Sequence, residues 1–148
     1  MDRQKTAVVT GASQGIGAGI VKAFVERGFN VVANSRKMTR STEVAASDHV
    51  ALLDGDIGEP AIAAKIVETA LSRFQSIDVL VNNAGIFFTK PFTDYTAEDF
   101  QSLVSTNLEG FLNVTQLTIK QMLAQKTGGS IVTITAALAA NPIAGVNA

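Results

Sequence analysis

A glycine-rich turn near the amino terminus is the segment whose residue types and spacing are best suited to chemistry. The turn reads TGASQGIG over residues 10–17 and joins a short apolar run to a stretch with helical periodicity. Glycines allow a tight exit from a strand and leave the first amides of the helix bare, and the helix dipole adds partial positive charge there. These features favour a diphosphate group. We expect a diphosphate-bearing ligand to contact Gly11, Ser13, Gln14, Gly15, Ile16 and Gly17.

The elements that must position this turn alternate between strand and helix. Continuous apolar runs predict strands over residues 7–10, 31–34, 50–54, 78–82 and 131–135. Helical periodicity predicts helices over residues 15–27 and from Pro60 to Phe74, and one or two helices over 96–126. Residues 36–47 are expected to form a loop with a short helix. The recurrence of Ile16, Ile20 and Phe24 predicts the packed face of the first helix.

This alternation predicts the α/β class, with right-handed crossovers and a parallel sheet covered on both faces. For the Rossmann-like, doubly wound arrangement the expected strand order is 3-2-1-4-5, and ligands bind beyond the carboxyl ends of the strands. We treat residues 1–148 as one such domain, incomplete at its carboxyl end. An apolar fifth strand at the edge of a sheet normally receives a cover, so we expect further strands to follow in a longer protein.

Composition excludes several classes of function. The chain has 148 residues, no cysteine and a formal net charge of -1, so it offers no thiol chemistry and no basic surface for nucleic acid. The amino terminus resembles neither a signal peptide nor a membrane span. The sequence therefore predicts a cytoplasmic protein without nucleic-acid or membrane partners. The single histidine, His49, is expected to be solvated, and no metal site is predicted.

The glycine spacing, T-G-x-x-x-G-I-G, resembles that of the short-chain dehydrogenase/reductase family. Further segments fit in the same order along the chain. They are Asp56-Ile57 after strand 3, Asn82-Asn83-Ala84-Gly85 after strand 4, Asn107-x-x-Gly110 in the following helix, and residues 129–134 in strand 5. The resemblance implies that Asp56 and Ile57 contact an adenine, that Asn83, Ala84 and Gly85 line the cofactor, and that Asn107 supports a proton relay.

The resemblance also aligns the end of strand 2 with the position that selects the nicotinamide cofactor. A carboxylate there would bond the ribose hydroxyls of NAD and repel a 2′-phosphate. Ser35 takes its place and Arg36 follows, a pair suited to phosphate because a guanidinium can grip it in a bidentate fork. We expect NADP(H) as cofactor, in preference to NAD(H).

The proton-donating machinery that the resemblance implies is incomplete in this sequence. Ala136 stands where the family has a serine that bonds the substrate oxygen, and the family's tyrosine and lysine would fall just beyond Ala148. Thr135 could replace the serine only if the fifth strand ends before it, because successive strand residues face opposite sides. Tyr95, the single tyrosine, has aspartate rather than lysine four residues later, and we assign it a structural role.

These observations lead to a first interpretation and two alternatives. The first is an NADP(H)-dependent oxidoreductase acting on a small carbonyl or alcohol, of low activity as written. The second is a non-catalytic NADP(H)-binding protein. A receiver-type signalling domain would need a phosphoacceptor aspartate after strand 1, where Thr10-Gly11 stands. The segment 107–122 is apolar nearly all round, so it needs a cover besides the sheet. Burial under a following part of a longer protein is one such cover, and the family resemblance suggests the other, a homo-oligomer built on this helix, which we expect.

Overall fold

Five parallel strands form the centre of the protein, whose computed structural model describes residues 3–141. Their order is β3-β2-β1-β4-β5, as predicted for the Rossmann-like class. The strands are β1 (Thr6–Thr10), β2 (Asn30–Ser35), β3 (Val50–Asp54), β4 (Val79–Asn82) and β5 (Ser130–Thr133). Because the order reverses next to β1, the carboxyl ends of β1 and β4 lie side by side at the switch point.

Helices connect the strands. They are α1 (Gly15–Glu26), α2 (Pro60–Phe74), α3 (Ala97–Val104) and α4 (Gly110–Gln125). A π-helical segment, Ser105–Glu109, joins α3 to α4, so the predicted region 96–126 contains two helices with a wider turn between them. Short 3₁₀ turns lie at Met38–Arg40, Phe92–Asp94 and Ala137–Ala139. The first of these is the short helix expected between strands 2 and 3.

Two apolar clusters cover the two faces of the sheet. Neighbouring residues of β1 belong to different clusters. Val8 packs with Ile66 of α2 and Val114 of α4. Val9 packs with Val21 of α1. This division follows from the two-residue period of a strand. The predicted cover on both faces is therefore confirmed.

The predicted packed face of α1 is partly wrong. Ile16 is 66% exposed, whereas Gly17, Ala18 and Val21 are the buried residues of the helix. Small residues face the sheet because the start of α1 lies too close to the strands for larger side chains. Ile20 and Phe24 are only partly buried, at the edge of the cluster.

The fifth strand ends earlier than predicted. β5 pairs with β4 from Ser130 to Thr133, and the amide of Ile134 makes a last hydrogen bond to the Asn82 carbonyl, at 2.9 Å. β4 itself ends at Asn82, so no strand is left for Thr135 to pair with. Thr135 therefore lies beyond the strand, and the alternation of faces no longer decides where its side chain points.

No helix within residues 3–141 combines the length and the hydropathy needed to cross a bilayer.

Candidate active site

The glycine-rich turn packs tightly against the end of β4. Gly11 has φ +65°, and a Cβ there would lie 2.7 Å from the Cα of Ala84. A Cβ on Gly17 would lie 2.2 Å from the carbonyl oxygen of Gly11, a distance that no side chain can occupy. These glycines thus bring the start of α1 against the turn and the turn against β4.

Thr10 and Asn83 fasten this arrangement with hydrogen bonds. The Thr10 hydroxyl accepts the amides of Asn83 and Ala84, at 3.2 and 3.1 Å. In return, the Asn83 Nδ2 donates to the carbonyls of Thr10 and Gly11, at 3.1 and 3.0 Å. The sequence pattern identified Asn83 as a cofactor-lining residue, and the structure shows it bonded to the turn itself.

The start of α1 already holds a carboxylate. The Gly15 amide donates to Oε1 of Glu43 at 3.3 Å, and a Cβ on Gly15 would meet nothing within 4 Å. Glu43 reaches this position because the Ser41 hydroxyl bonds the Ser13 carbonyl at 2.6 Å and also accepts the Glu43 amide. The amide that was predicted to bind phosphate is therefore open to solvent and donates its hydrogen bond to an anionic group.

A cavity of about 520 Å³ opens beside the turn at the carboxyl ends of β1, β2 and β3. Nine of the predicted ligand contacts line it: Gly11, Ser13, Gln14, Ser35, Arg36, Asp56, Ile57, Ala84 and Gly85. The other predicted contacts in the turn, Gly15, Ile16 and Gly17, lie at the start of α1 outside this lining. We refer to this space as the first cavity.

Unpaired polar atoms lie at the end of β2, beside the first cavity. The buried Ser35 Oγ and Asn34 Oδ1 have no hydrogen-bond partner within the described residues. The Asn34 Nδ2 donates to the carbonyls of Leu53 and Gly55, which fixes the start of the loop after β3. Buried polar atoms normally find partners, so these orphaned oxygens indicate a place prepared for a ligand.

The carboxylate of Asp54, opposite Ser35 in the sheet, turns away from the cavity. It accepts the Thr39 hydroxyl at 2.6 Å and the Thr39 amide at 2.7 Å. The hydrogen bond from the Thr39 hydroxyl is the main cause of a lowered pKa for Asp54. The acid is thus ionised and engaged elsewhere, and the cationic side chains of Arg36 and Lys37 line the cavity instead.

Asp56 and Ile57 have different surroundings. The Asp56 carboxylate accepts the amide of Gly58 at 2.9 Å, which holds the loop after β3 in a turn. Ile57 is buried, and a Cβ on Gly110 would lie 2.5 Å from its Cγ1. Ile57 therefore packs on the first residue of α4 and links the first cavity to the helix that follows the π-helical segment.

Asn107 lies within the π-helical segment and makes a paired contact with one backbone residue. Its Nδ2 donates to the Ile86 carbonyl at 3.0 Å, and its Oδ1 accepts the Ile86 amide at 2.9 Å. Single π-helical turns inside helices are common at functional sites. Here the turn directs Asn107 at the chain leaving β4.

A second cavity, of about 560 Å³, adjoins the first and shares Ile57, Ala84, Gly85 and Ile86 with it. Asn107 lines this second cavity, as do both Thr135 and Ala136. The position at which the resemblance implied a serine is thus on the wall, but its methyl group donates no hydrogen bond.

Tyr95 and His49 lie outside both cavities. The Tyr95 hydroxyl donates to the Phe88 carbonyl at 2.9 Å, and its ring stacks on that of Phe88, in agreement with a structural role. His49 is exposed, with Nδ1 2.9 Å from Oδ1 of Asn30, at the other end of the sheet.

Comparison with known proteins identifies the family. The family model for short chain dehydrogenase matches residues 5–148. The chain belongs to the short-chain dehydrogenase family. The family resemblance seen in the glycine-rich turn and in the segment after β4 is therefore confirmed.

Individual relatives agree with this family assignment. The NADP-dependent (R)-specific alcohol dehydrogenase of Lentilactobacillus kefiri is 35% identical over 132 residues, which is 86% of this chain and 52% of that protein. A 3-oxoacyl-[acyl-carrier-protein] reductase of Staphylococcus aureus is 31% identical over 137 residues, or 88% and 56% of the two chains. The chain thus spans about half the length of the curated relatives it matches.

A solved structure shares the fold. The 3-ketoacyl-(acyl-carrier-protein) reductase of Brucella melitensis, crystallised with NADH, superposes with a TM-score of 0.91 at 30% identity. The match covers 97% of this chain and 62% of that one. This chain therefore shares its Rossmann-like architecture with a solved structure of the family.

Proposed function

We propose that this protein is an NADP(H)-dependent oxidoreductase that interconverts a carbonyl compound and a secondary alcohol. The observation that carries the proposal is the pair of adjoining cavities at the switch point of the sheet. The first is lined by cationic side chains and by the glycine-rich turn, and the second is lined mostly by apolar groups. The residues they share would let a nucleotide in one cavity meet a substrate in the other.

Relatives support a nicotinamide cofactor. The Lentilactobacillus kefiri protein is named as NADP-dependent, and the Brucella melitensis reductase was crystallised with NADH. When bound, NADPH would supply a hydride to the carbonyl carbon; with one proton added to the oxygen, the products are the alcohol and NADP⁺. The residues fit such a dinucleotide, because the Gly15 amide donates to an anionic group and polar atoms at the end of β2 are unpaired.

The roles of the chain's residues follow from their positions. The turn from Gly11 to Gly17 would bind the diphosphate, and Asp56 and Ile57 would contact the adenine. Asn83, Ala84 and Gly85 would line the cofactor between the two cavities. Asn107 would position the backbone at Ile86 through its paired hydrogen bonds and support the proton relay that the family resemblance implies.

The end of β2 supports NADP(H) over NAD(H). Its last residue, Ser35, is neutral, and Arg36 and Lys37 line the cavity beside it. The nearby acid, Asp54, is engaged by Thr39. A 2′-phosphate would thus meet a hydroxyl and two cations without a competing carboxylate at the end of this strand.

The combined substitution Ser35→Asp and Arg36→Ala tests the cofactor assignment. We expect the preference for NADP(H) over NAD(H), measured as the ratio of dissociation constants by fluorescence titration, to fall at least about tenfold. Arg27→Ala, at the far end of α1, is the matched control and should leave the ratio unchanged. An unchanged ratio in the double variant would exclude phosphate recognition at this position.

A non-catalytic NADP(H)-binding protein is the second candidate, because Ala136 on the wall of the second cavity has no hydrogen-bond donor. Assays of nicotinamide oxidation with a panel of ketones on the intact natural protein separate the two. Saturable cofactor binding without turnover would favour this second function.

We also propose that the protein self-associates through α4 and the preceding π-helical segment. Large apolar side chains remain exposed along residues 107–123: Leu108, Phe111, Leu112, Ile119 and Leu123. Burial of such a stripe against a second copy would remove it from water. Light scattering of the intact protein should give a dimer or larger species, and Leu112→Glu with Ile119→Lys should yield monomers.

A further inference from the structure

The two cavities differ in charge, and this difference bears on the substrate. The first is lined by Arg36, Lys37 and Asp56. Among the described residues, the second has no charged side chain on its wall. We propose that the second cavity takes an uncharged, largely apolar carbonyl compound or alcohol, and that the Thr135 hydroxyl binds its oxygen. This inference rests on the proposed oxidoreductase function and adds the class of substrate to it.

The wall of the second cavity selects against charge. Its larger side chains are Ile57, Phe87, Leu103, Phe111, Ile134 and Leu138. A carboxylate or phosphate moved from water against such a surface, without a cation to pair with, loses hydration that nothing replaces. An apolar group instead gains from leaving water, in proportion to the area covered. Uncharged substrates are therefore favoured over charged analogues of the same shape.

Most of the amide side chains on this wall are already engaged. The Asn82 Nδ2 donates to the Thr115 hydroxyl, the Asn83 Nδ2 to the turn carbonyls, and the Asn107 Nδ2 to the Ile86 carbonyl. The Thr10 hydroxyl lies against the Val81 carbonyl and accepts two amides. The Asn83 Nδ2 and the Thr10 hydroxyl thus have no hydrogen left for a substrate oxygen, whereas the Asn82 and Asn107 amide groups each use one of their two hydrogens in a bond that fixes the side chain.

Two residues on the wall carry hydroxyls that are not engaged in this way. Thr133 and Thr135 line the cavity, and within residues 3–141 neither hydroxyl makes a hydrogen bond. Thr133 is the last residue of β5, whereas Thr135 follows the final hydrogen bond of the sheet, at Ile134. Ligands of this fold bind beyond the carboxyl ends of the strands, which is where Thr135 lies. Its neighbour Ala136 has no donor, so Thr135 is the better-placed donor for a substrate oxygen.

Phe87 gives the cavity an exposed aromatic wall. It is 58% exposed and follows Ile86, whose amide and carbonyl are both bonded to Asn107. An aromatic ring at an anchored position offers a large contact area to an apolar or aromatic substituent at little cost in conformational freedom. Phe87 is therefore the residue at which substrate preference should be easiest to change.

A matched pair of ketones tests the charge preference. 4-Methylacetophenone and 4-acetylbenzoate have similar shapes, but only the second is charged. We expect the intact protein, saturated with NADP⁺, to bind the neutral ketone at least about tenfold more tightly in ligand-observed NMR titrations. Equal or tighter binding of 4-acetylbenzoate would overturn the proposal. Phe87→Arg should reverse the order, and a preference that does not change in this variant would place the ketone elsewhere.

Substitutions at Thr135 test the hydroxyl. Thr135→Val should reduce kcat/KM for the neutral ketone about 10²-fold, whereas Thr135→Ser should keep most of it. The same order should appear in ketone affinity, which needs no turnover. Thr127→Val, at the opposite end of β5, is the control and should have the wild-type values. Equal values for the valine and serine variants at position 135 would remove Thr135 from substrate binding.

Cofactor binding is measured separately, so the two proposals can fail independently. Absence of any response to NADP(H) or NAD(H) would contradict the proposed function, and the ketone titrations would then be read on the unloaded protein. Cofactor binding with no preference between the two ketones would retain the nucleotide site and reject the substrate class.

Discussion

The two ends of the sheet use polar residues in opposite ways. At the amino ends of the strands, the Asp78 carboxylate accepts the Thr6 amide at 2.8 Å, the Ser76 hydroxyl at 3.0 Å and the Arg3 guanidinium at 2.6 Å. The Gln125 amide group likewise pairs with both backbone groups of Ile77. These side chains satisfy one another, and they close that end of the protein.

At the carboxyl ends of the strands, some buried polar atoms lack hydrogen-bond partners. Buried oxygens of Asn34, Ser35 and Asn82 have no partner within the described residues, and all three lie at the ends of β2 or β4. Leaving a buried polar atom unpaired costs about 1–3 kcal/mol. Stability is therefore gained at one end of this fold and partly given up at the other, where a ligand can supply the missing partners.

The largest expected effect comes from the close approach at the carboxyl end. Gly17→Ala would push a methyl group to 2.2 Å from the Gly11 carbonyl oxygen, so the turn must move away from α1. We expect a loss of about 3 kcal/mol in unfolding free energy, from urea denaturation, and a loss of NADP(H) binding. Gly19→Ala is the matched control, since a Cβ there meets nothing within 4 Å, and it should be neutral or stabilising. Similar results for the two alanines would contradict this account of the turn.

The next effect concerns the hydroxyl that joins the turn to β4. Thr10→Val keeps the shape of the side chain but removes the acceptor of the Asn83 and Ala84 amides. We expect about 2 kcal/mol of destabilisation and faster hydrogen exchange at both amides. Thr10→Ser retains the hydroxyl and should recover most of the loss. If serine and valine behaved alike, the hydrogen bonds would not be what holds this end together.

The sequence was sufficient to predict most of the fold. Apolar runs located all five strands, and the doubly wound class that their alternation with helices indicates supplied the order. Periodicity was less reliable for which face is buried: it selected Ile16, which is exposed, since tertiary packing of Gly17 and Ala18 decided the outcome. The predicted end of β5, at residue 135, was two residues beyond the observed end at Thr133. The end of this strand depends on where β4 stops rather than on the apolar residues of β5 itself.

The candidate site was predictable where it follows from local sequence and hidden where it depends on long-range contact. The turn and the Asn83–Gly85 segment are recognisable from spacing. Glu43 is not, since it meets Gly15 only through folding of the loop after β2. The role of Thr10 could have been anticipated from its position before Gly11, but its partners lie more than seventy residues away. The proposed role of Thr135 could be inferred only after the structure showed where β5 ends.

A smaller effect is expected at the amino ends of the strands, where Asp78 lies. Partial burial tends to raise the pKa of Asp78, but hydrogen bonds from the Thr6 amide, Arg3 and Ser76 outweigh it, so the pKa is lowered. The ionised form therefore stabilises the fold above the unfolded-state pKa of about 3.9, and this contribution is lost as pH falls through the lowered value. Asp78→Asn should cost about 1 kcal/mol at pH 7 and progressively less below pH 4.

Thermal unfolding from pH 7 to pH 2 measures this difference. The exposed Asp48→Asn serves as control and should follow the wild-type curve throughout. A penalty for the Asp78 variant that stays constant across the acid range would show that its charge does not contribute to closing this end.

The smallest effect is expected at the carboxyl ends of the strands, where the Gly15 amide donates a hydrogen bond to Glu43. A carboxylate at the start of α1 competes with a diphosphate for the same donor and repels it. Because Glu43 is exposed and screened, Glu43→Gln should tighten NADP(H) binding only about two- to fivefold at low salt, and less at high salt. Isothermal titration at two salt concentrations measures this, with Glu26→Gln at the far end of α1 as control. Weaker binding in the Glu43 variant would contradict this account, because it would mean that the carboxylate contacts the nucleotide favourably, through a hydroxyl for example.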